Sequence, residues 1–408
     1  MRQVVPAPHH TQHTPVRLAS LLLLACTAAC GSPKPFPVLS DADVARVDSL
    51  MSNPPHLTQD QYGYPIDTID RREILRLLRV AQFDSLDAIL SERWDATKAD
   101  IRSEGRLAHV YDSFVQATGT IEPELDKWIA ERPGVASARV AMAMYEYGRA
   151  LEGRGGDVAR RTSEQQFATS RDHAEKGLAA AREALRLAPD HLIAYVVVLG
   201  HFQRGATTDP ESARALVQSA MAAHPTSFLL RQAILGMLQP RWGGSLDLMR
   251  QFVASADGLA LQNPKLRALA GAVAQEEAFM KNDDYGMALA LLDQANFHGE
   301  HYMLDLAYGD LHLHNKRPVD ALIAYQRALA LSPQGRTVLD DRSSLLVQVG
   351  SLIADETVRE KVFAEAERTL NLLRELQPPY ADPSDWLARL SNARANCAKG
   401  PAPCLDVY

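Results

Sequence analysis

Small residues recur at a fixed spacing along the chain, and this pattern constrains the fold more than any other feature. Ala321, Tyr325, Ala328 and Pro333 follow the order Ala-x3-Tyr-x2-Ala-x4-Pro. A period of about 33–36 residues is typical of helix pairs that stack because a single pair cannot bury its apolar stripe. The pattern predicts an all-α fold of stacked antiparallel helix pairs. The same spacing recurs in Gly177-Ala181-Ala184-Pro189, in Ala213-Val217-Ala220-Pro225 and, without the proline, in Ala288-Leu292-Ala295.

Composition agrees with a helical array. The 408 residues are 46% hydrophobic but only 6% aromatic, and no stretch alternates with the period of two that marks a strand. From residue 188 onward the apolar spacing predicts five helix pairs and an end helix at 384–395. The pairs are 191–203 with 210–223, 227–238 with 245–256, 265–281 with 285–297, 302–315 with 318–331, and 337–354 with 357–376.

Changes in composition divide the chain into five parts. Residues 1–29 are predicted to be a signal peptide that is removed, and 30–69 a proline-rich tether followed by an irregular segment in which Tyr62 and Tyr64 look exposed. Residues 70–187 are predicted to form an N-terminal helical domain. Helical repeats follow over 188–396, and 397–408 form a C-terminal tail.

The N-terminus has the order of residues found in bacterial export signals. Arg2 and Arg17 precede the apolar run 18–25, which is too short to span a bilayer. The sequence Ala28-Ala29-Cys30-Gly31-Ser32 follows and resembles a lipoprotein signal, in which the cysteine carries the lipid. Cys26 is the alternative lipidation site, and a plain secretory signal is the alternative for the whole segment. Lipid chains would give firm membrane attachment at about 0.8 kcal/mol per buried methylene.

Charge limits the classes of partner. Removal of residues 1–29 leaves 41 Lys and Arg against 50 Asp and Glu, a net charge of −9. An acidic chain without a long basic run is unsuited to nucleic acid or anionic lipid. The residue after Cys30 is not Asp, which by analogy with Gram-negative lipoproteins favours the outer membrane, facing the periplasm or the cell surface.

Two further cysteines lie near the C-terminus. Cys397 and Cys404 are separated by six residues that include two prolines. An exported compartment permits a disulfide between them, and two free thiols are the alternative. No further cysteine or nearby histidine completes a zinc site.

Residues 194–225 and 302–335 resemble the tetratricopeptide repeat. Tyr308-Gly309 stand where that repeat has Leu-Gly, and Ala321, Ala328 and Pro333 match its contact and breaker positions. The resemblance implies a right-handed superhelix, or α-solenoid, whose first helix in each pair lines the concave face. It therefore implies that a partner contacts Tyr195, Val198 and Phe202 in one repeat, and Met303, Leu306, Asp310 and Leu313 in another.

A second resemblance covers residues 70–260. The corner Gln239-Pro240-Arg241-Trp242-Gly243-Gly244-Ser245 resembles a family catalogued as domain of unknown function 4034. The stretches Leu77-x5-Phe83-x2-Leu86-Asp87 and Tyr147-Gly148-Arg149-Ala150, with Arg154-Gly155-Gly156, agree with it. This resemblance implies helical structure and no assigned activity.

No catalytic or metal-binding arrangement stands out. His298 and His301 precede a predicted helix that ends with His312 and His314, but the last two point about 160° apart on a helix and cannot share one ion. The chain has no H-E-x-x-H and no G-x-S-x-G, and Gly153-Arg154-Gly155-Gly156 lacks the lysine of a P-loop. Neither a cofactor nor a metal is predicted.

Two functions remain open. The first is a lipid-anchored, non-catalytic scaffold of the cell envelope that binds a protein or peptide, with Trp242 among the contact residues. The second is an envelope hydrolase or small-ligand protein with a site within residues 145–245, around Tyr145, Arg154, Arg241 and Trp242. The first is preferred because no set of residues with catalytic spacing is present.

Overall fold

The protein is all α-helical. A computed structural model describes residues 39–399 apart from 67–68, 116, 118–119, 156–160, 207–208 and 377–382, and this part contains eighteen α-helices and no strand. The predicted fold class is therefore confirmed. The first nine helices are α1 Asp41–Ser52, α2 Arg71–Arg79, α3 Phe83–Ala99, α4 Glu104–Val115, α5 Glu122–Glu131, α6 Ala136–Arg154, α7 Glu164–Leu187, α8 Leu192–Gln203 and α9 Pro210–Ala223. The other nine are α10 Phe228–Met237, α11 Leu246–Ala254, α12 Leu269–Met280, α13 Tyr285–His298, α14 Tyr302–His314, α15 Pro318–Leu331, α16 Arg336–Leu352, α17 Glu356–Leu376 and α18 Ser384–Cys397.

Side-chain caps explain where several helices begin. The carboxylate of Asp209 accepts hydrogen bonds from the first amides of α9, and the Ser245 hydroxyl accepts one from Leu248 N at the start of α11. Each such cap contributes about 1 kcal/mol because it satisfies amides that lack a helical partner. Ser384, a residue type that often caps a helix, is instead the first residue of α18, and Pro383 occupies the cap position.

The small residues of the repeat pattern lie where two helices touch. Ala321 and Ala328 have no exposed surface, and Tyr325 between them is fully buried. A Cβ atom on Gly309 would lie 2.1 Å from the ring of Tyr325, so only glycine allows α14 to approach α15 this closely. Gly177 of α7 has the same relation to His201 of α8. The spacing of small residues in the sequence thus marks helix crossings.

Most of the predicted pairs form, with one exception. Helices α12 and α13, α14 and α15, and α16 and α17 each pack closely along their lengths. The predicted pair 227–238 with 245–256 is wrong, because α10 packs mainly on α8 and α11 mainly on α12. A turn of 3₁₀ helix at Pro240–Trp242 intervenes between α10 and α11. A second one at Pro264–Ala268 replaces the start of the helix predicted over 265–281.

The apolar core of the described residues is divided among five clusters along the array. One cluster joins α2–α7 and extends into α8 through Ile193 and Val198, so helix packing continues across residue 187. A second cluster joins α14–α18 and includes Val47 of α1. Three smaller clusters, around α8–α10, α10–α12 and α12–α14, lie between these two. The middle of the array therefore has smaller apolar clusters than its two ends.

The N-terminal segment returns across the array. Helix α1 packs on α15 and α17, where Arg46 pairs with Asp320 at 2.6 Å and Lys361 pairs with Asp48 at 2.7 Å. Residues 53–66, which we call the strap, are irregular as predicted, with a single bridge between Gln59 and Pro65.

The strap is fastened to distant parts of the chain by buried polar contacts. The Tyr62 hydroxyl donates to the His298 carbonyl at 2.8 Å. Asp60, only 8% exposed as a residue, pairs with Lys265 at 2.7 Å. Tyr64, expected to be exposed, is buried. Its hydroxyl has partners in the interior, since it contacts Glu104 at 3.3 Å and accepts a hydrogen bond from Asn263 at 2.5 Å. The strap is thus an integral part of the fold.

Candidate functional site

Charged side chains from five helices face one another across the array. Arg71 of α2 pairs with Asp112 of α4 at 3.3 Å and donates to the carbonyl of Gln334, before α16, at 2.6 Å. Tyr302 at the start of α14 lies near both charges of that pair, and on α16 Arg336 lies near Glu152 of α6. We call the space bounded by these groups the inner chamber. We assign to it the groups that these electrostatic contacts link, namely Asp112, Glu152, Tyr302, Asp310, Arg336, Asp340 and Asp341.

The chamber groups are accessible to solvent and yet poorly hydrated. The side chain of Asp112 is 42% exposed and Tyr302 is 39% exposed, but surrounding protein raises the pKa of both groups, that of Tyr302 to about 12. Groups that keep accessible surface while protein surrounds them on most sides lie in a concave space. Displaced pKa values on reachable side chains are a common property of binding and catalytic sites.

The acidic groups of the chamber outnumber the basic ones. Burial raises the pKa of Asp340, although the Arg336 guanidinium opposes this shift. Burial raises the pKa of Asp310 to about 6, although the Tyr325 hydroxyl donates to that carboxylate at 2.7 Å. Burial lowers the pKa of Arg336 to about 10, although the nearby carboxylates of Asp340, Asp341 and Glu152 raise it. These carboxylates would gain more from a bound cation than they would in open solvent.

The predicted contact residues fall into two groups. Tyr195, Val198 and Leu306 are core residues: Val198 belongs to the cluster of α2–α8, Tyr195 to that of α8–α10 and Leu306 to that of α14–α18. They have almost no surface to offer a partner, because the faces of α8 and α14 that carry them pack on neighbouring helices. These three side chains are therefore not among the residues that we expect a partner to contact.

The other predicted contact residues keep some accessible surface. Phe202 and Leu313 are half-buried at the edges of core clusters, and Asp310 lies in the chamber. Met303 and Trp242 are exposed. Met303 follows Tyr302 on α14, whereas Trp242 ends the 3₁₀ turn after α10. Met303 and Asp310 thus lie on α14, the helix that also carries Tyr302.

Sequence reasoning missed most of the chamber. Asp112, Tyr302, Arg336 and Asp340 were not singled out, since they are isolated polar residues on amphipathic helices. The spacing Arg336-x3-Asp340 does indicate two charges on one face of a helix. Nothing in the sequence indicates that Asp112 and Tyr302, 190 positions apart in numbering, approach each other.

The four clustered histidines occupy separate environments. His301 is buried, and burial lowers its pKa to about 4. His312 contacts the Tyr285 hydroxyl through Nδ1 at 3.1 Å and stacks on Tyr308, while His298 meets Phe297 edge-on. Within the described ranges no three His, Cys, Asp or Glu side chains converge in a way that could hold a metal ion.

An outer pocket lies among α13, α14 and α15. It has a volume of about 280 Å³ and contains Tyr308, Asp293 and Arg327 among its lining residues. The Tyr308 hydroxyl donates to Asp293 at 2.7 Å, and Arg327 pairs with Glu300. Because these polar groups already satisfy one another, the pocket has less to offer a ligand than the chamber does.

Residues of the alternative site within 145–245 do not form one cluster. Tyr145 is buried, and burial raises its pKa. Arg241 lies 3.7 Å from Glu276 and its guanidinium lies over the ring of Phe279. Arg154 and Trp242, however, are brought near a residue that the sequence did not single out, Arg204.

The predicted covalent sites lie largely outside the described residues. Cys26, Cys30 and the signal peptide 1–29 precede residue 39. Cys397 is bonded in a disulfide, and Cys404, its predicted partner, lies beyond residue 399. A search of the described helices for one long and apolar enough to cross a bilayer found none.

A comparison with known protein families gives a match over the first half of the array. A family model described as "Domain of unknown function (DUF4034)" matches residues 70–204 and 201–270. This stretch agrees with the resemblance that the corner at 239–245 and the motifs before it indicated, so that resemblance is confirmed. It covers α2–α11 and ends at the start of α12. No curated protein matches the chain.

Proposed function

We propose that this protein is a lipid-anchored, tetratricopeptide-like scaffold of the cell envelope that binds a protein or peptide partner and catalyses no reaction. The matched family carries no assigned activity, so the proposal stands on geometry. The observation that carries it is the inner chamber, a concave space with accessible, poorly hydrated carboxylates on α4, α14 and α16. Concave faces of helical arrays are extended binding surfaces.

The chemistry of the chamber favours a cationic partner segment. Five carboxylates face the space, and of the two arginines Arg71 is buried in the wall, where it donates to Asp112 and to Gln334. A lysine or arginine side chain entering the chamber would find carboxylates whose charge is weakly screened. We therefore infer that the partner presents an extended basic segment of a polypeptide.

The anchor is the second element of the proposal. The apolar run 18–25 followed by Cys30 supports it, with Cys26 as the alternative site. Attachment to a membrane by lipid would keep an acidic protein at a surface that its charge does not attract. The wild-type chain should incorporate labelled palmitate, and Cys30→Ala should not. If only Cys26→Ala loses the label, Cys26 is the lipidation site. Incorporation by the variant that lacks both cysteines would contradict the anchor.

Binding of a charged peptide tests the chamber. A fluorescent lysine-rich peptide should bind the full chain, and an aspartate-rich peptide of the same length should not. The double variant Asp112→Asn/Asp340→Asn should weaken binding about tenfold or more, since each lost charge pair removes about 1 kcal/mol or more in a poorly hydrated site. Fluorescence anisotropy at increasing salt measures the effect.

A matched control carries the same change in net charge on the outer helices. Glu211 of α9 and Asp247 of α11 are exposed, and each pairs with an exposed arginine three residues further on. Glu211→Gln/Asp247→Asn should leave the affinity within about twofold, because exposed charges are well screened. Equal weakening in both double variants would show that net charge alone draws the peptide and would refute the chamber as its site.

A further inference from the structure

Two arginines and a tryptophan meet at the ends of three helical segments. Arg154 is the last residue of α6, Arg204 follows α8, and Trp242 ends the 3₁₀ turn after α10. The Arg204 guanidinium lies over the Trp242 ring with 5.5 Å between its carbon and the ring centroid, and Arg154 lies 6.0 Å from the centroid of Phe167. Each arginine is thus held against an aromatic face.

Arg204 is a buried cation without a counter-ion. It is only 9% exposed, and its Nε has no hydrogen-bond acceptor. Over the described residues its side chain makes no ion pair, and its guanidinium lies over the ring of Trp242. Burying an arginine without a carboxylate is costly, and native proteins normally pair such a charge.

A second positive charge lies beside it. Burial lowers the pKa of Arg154, and the charge on Arg204 lowers it further, so the two guanidinium groups are close enough to repel each other. Proteins bring like charges together where a ligand of opposite charge holds them. The loops beside them leave room, since a Cβ atom on Gly205 or on Gly243 would meet nothing within 4 Å.

We propose that Arg204 and Arg154 bind an oxyanion, the chemistry shared by a phosphate and a carboxylate group. Arginine presents its N–H groups in a planar fork that matches two oxygens of such a group. Trp242, 40% exposed, provides an apolar surface beside the oxyanion for the rest of the ligand. The site lies between the ends of α6, α8 and α10 and does not depend on the chamber binding a peptide.

Calorimetry on the full chain tests the site with two simple probes, inorganic phosphate and acetate, in low-chloride buffer. Binding of phosphate alone assigns the site to phosphate, and comparable binding of acetate assigns it to carboxylates as well. Arg204→Met, which keeps the apolar stem, should weaken either probe about tenfold or more, the usual effect of losing a charge-assisted hydrogen bond. Binding of neither probe would overturn the proposal.

A neighbouring arginine supplies the control. Arg241 lies on the same turn as Trp242 but is already placed beside Glu276, so Arg241→Met should leave the affinity for phosphate unchanged. Phosphate should raise the melting temperature of the wild type and of Arg241→Met but not that of Arg204→Met, and a melting transition in each variant shows that it is folded. If Arg204→Met does not fold, Arg204→Lys replaces it and should weaken binding while retaining the charge. Equal affinity in wild type and in the folded Arg204 variant would contradict the site.

Discussion

Replacing Lys265 by methionine should lower the free energy of unfolding by about 3–5 kcal/mol, the cost of leaving a buried charge without its partner. The ammonium group lies 2.7 Å from the carboxylate of Asp60 in the strap, and neither side chain has much exposed surface. It also lies over the ring of Tyr64, 4.0 Å from the centroid. Two amides, of Tyr62 and Tyr64, would still donate to Asp60, but they cannot replace a full charge. Urea denaturation followed by circular dichroism measures the loss.

The same segment of the chain provides a matched control. Lys361 also pairs with an aspartate at 2.7 Å and also fastens the N-terminal segment to the array, but both side chains of the Lys361–Asp48 pair are largely exposed. Lys361→Met should therefore cost less than about 1 kcal/mol. The double variant Asp60→Asn/Lys265→Met should recover part of the loss because it removes the unpaired charge. If the two lysine substitutions lower the free energy of unfolding equally, burial of the Asp60–Lys265 pair adds nothing to stability.

Ionisation of Glu104 should remove about 3 kcal/mol from the free energy of unfolding as the pH rises from about 5 to about 8. Burial raises the pKa of Glu104 from 4.5 to about 7, in spite of donors from Ser227 and from the amide of Phe228. The unfolded chain releases this proton near pH 4.5, whereas the native protein keeps it to about pH 7. The native state therefore binds more protons in this window, and stability falls as the pH rises through it, by about 1.4 kcal/mol per pKa unit.

Other buried groups determine the rest of the profile. Burial raises the pKa of Asp305 to about 7, so this carboxyl adds a change of the same sign. Burial lowers the pKa of His191, His201 and His301 to about 4. The unfolded chain protonates these histidines near pH 6.5 while the native protein does not, so stability falls as the pH drops from about 6.5 towards 4. Stability should be highest near pH 6.

Glu104→Gln isolates the contribution of one carboxyl. The amide keeps an oxygen to accept from Phe228 N but cannot ionise, so the free energy of unfolding at pH 8 relative to that at pH 5 should be higher in the variant than in the wild type. Urea unfolding at a series of pH values measures both curves, with the exposed Glu211→Gln as a control that should follow the wild type. Parallel curves for wild type and Glu104→Gln would rule out a displaced titration at this position.

Local chemistry explains which parts of the fold could be predicted. Helix starts are marked by side-chain caps such as Asp209 and Ser245, and helix crossings by small residues such as Gly309 and Ala321. Both signals act within one or two turns, which is the range that a sequence pattern can report. The predicted pair of α10 and α11 failed because the extra turn at Pro240–Trp242 redirects the chain, and a helix-pair pattern does not encode the direction of such a corner.

The parts that could not be predicted depend on contacts between distant residues. Tyr64 looked exposed in a proline-rich stretch, but Glu104 and Asn263 give its hydroxyl buried partners. Tyr195 and Leu306 looked like groove residues because an apolar residue on a helix can face either a partner or a neighbouring helix. Arg204 carries no motif at all, and it is a candidate only because it lies over Trp242 with no carboxylate partner among the described residues.

The central claim is that the inner chamber is where a basic polypeptide binds, and photo-cross-linking tests it most directly. A lysine-rich peptide carrying a photoreactive group would be irradiated with the full chain, and the joined residues identified by mass spectrometry. The chamber predicts cross-links on α4, α14 and α16, around Asp112, Tyr302 and Asp340. Cross-links confined to the outer helix α13, where Met287 and Phe297 are the exposed apolar side chains, would contradict it.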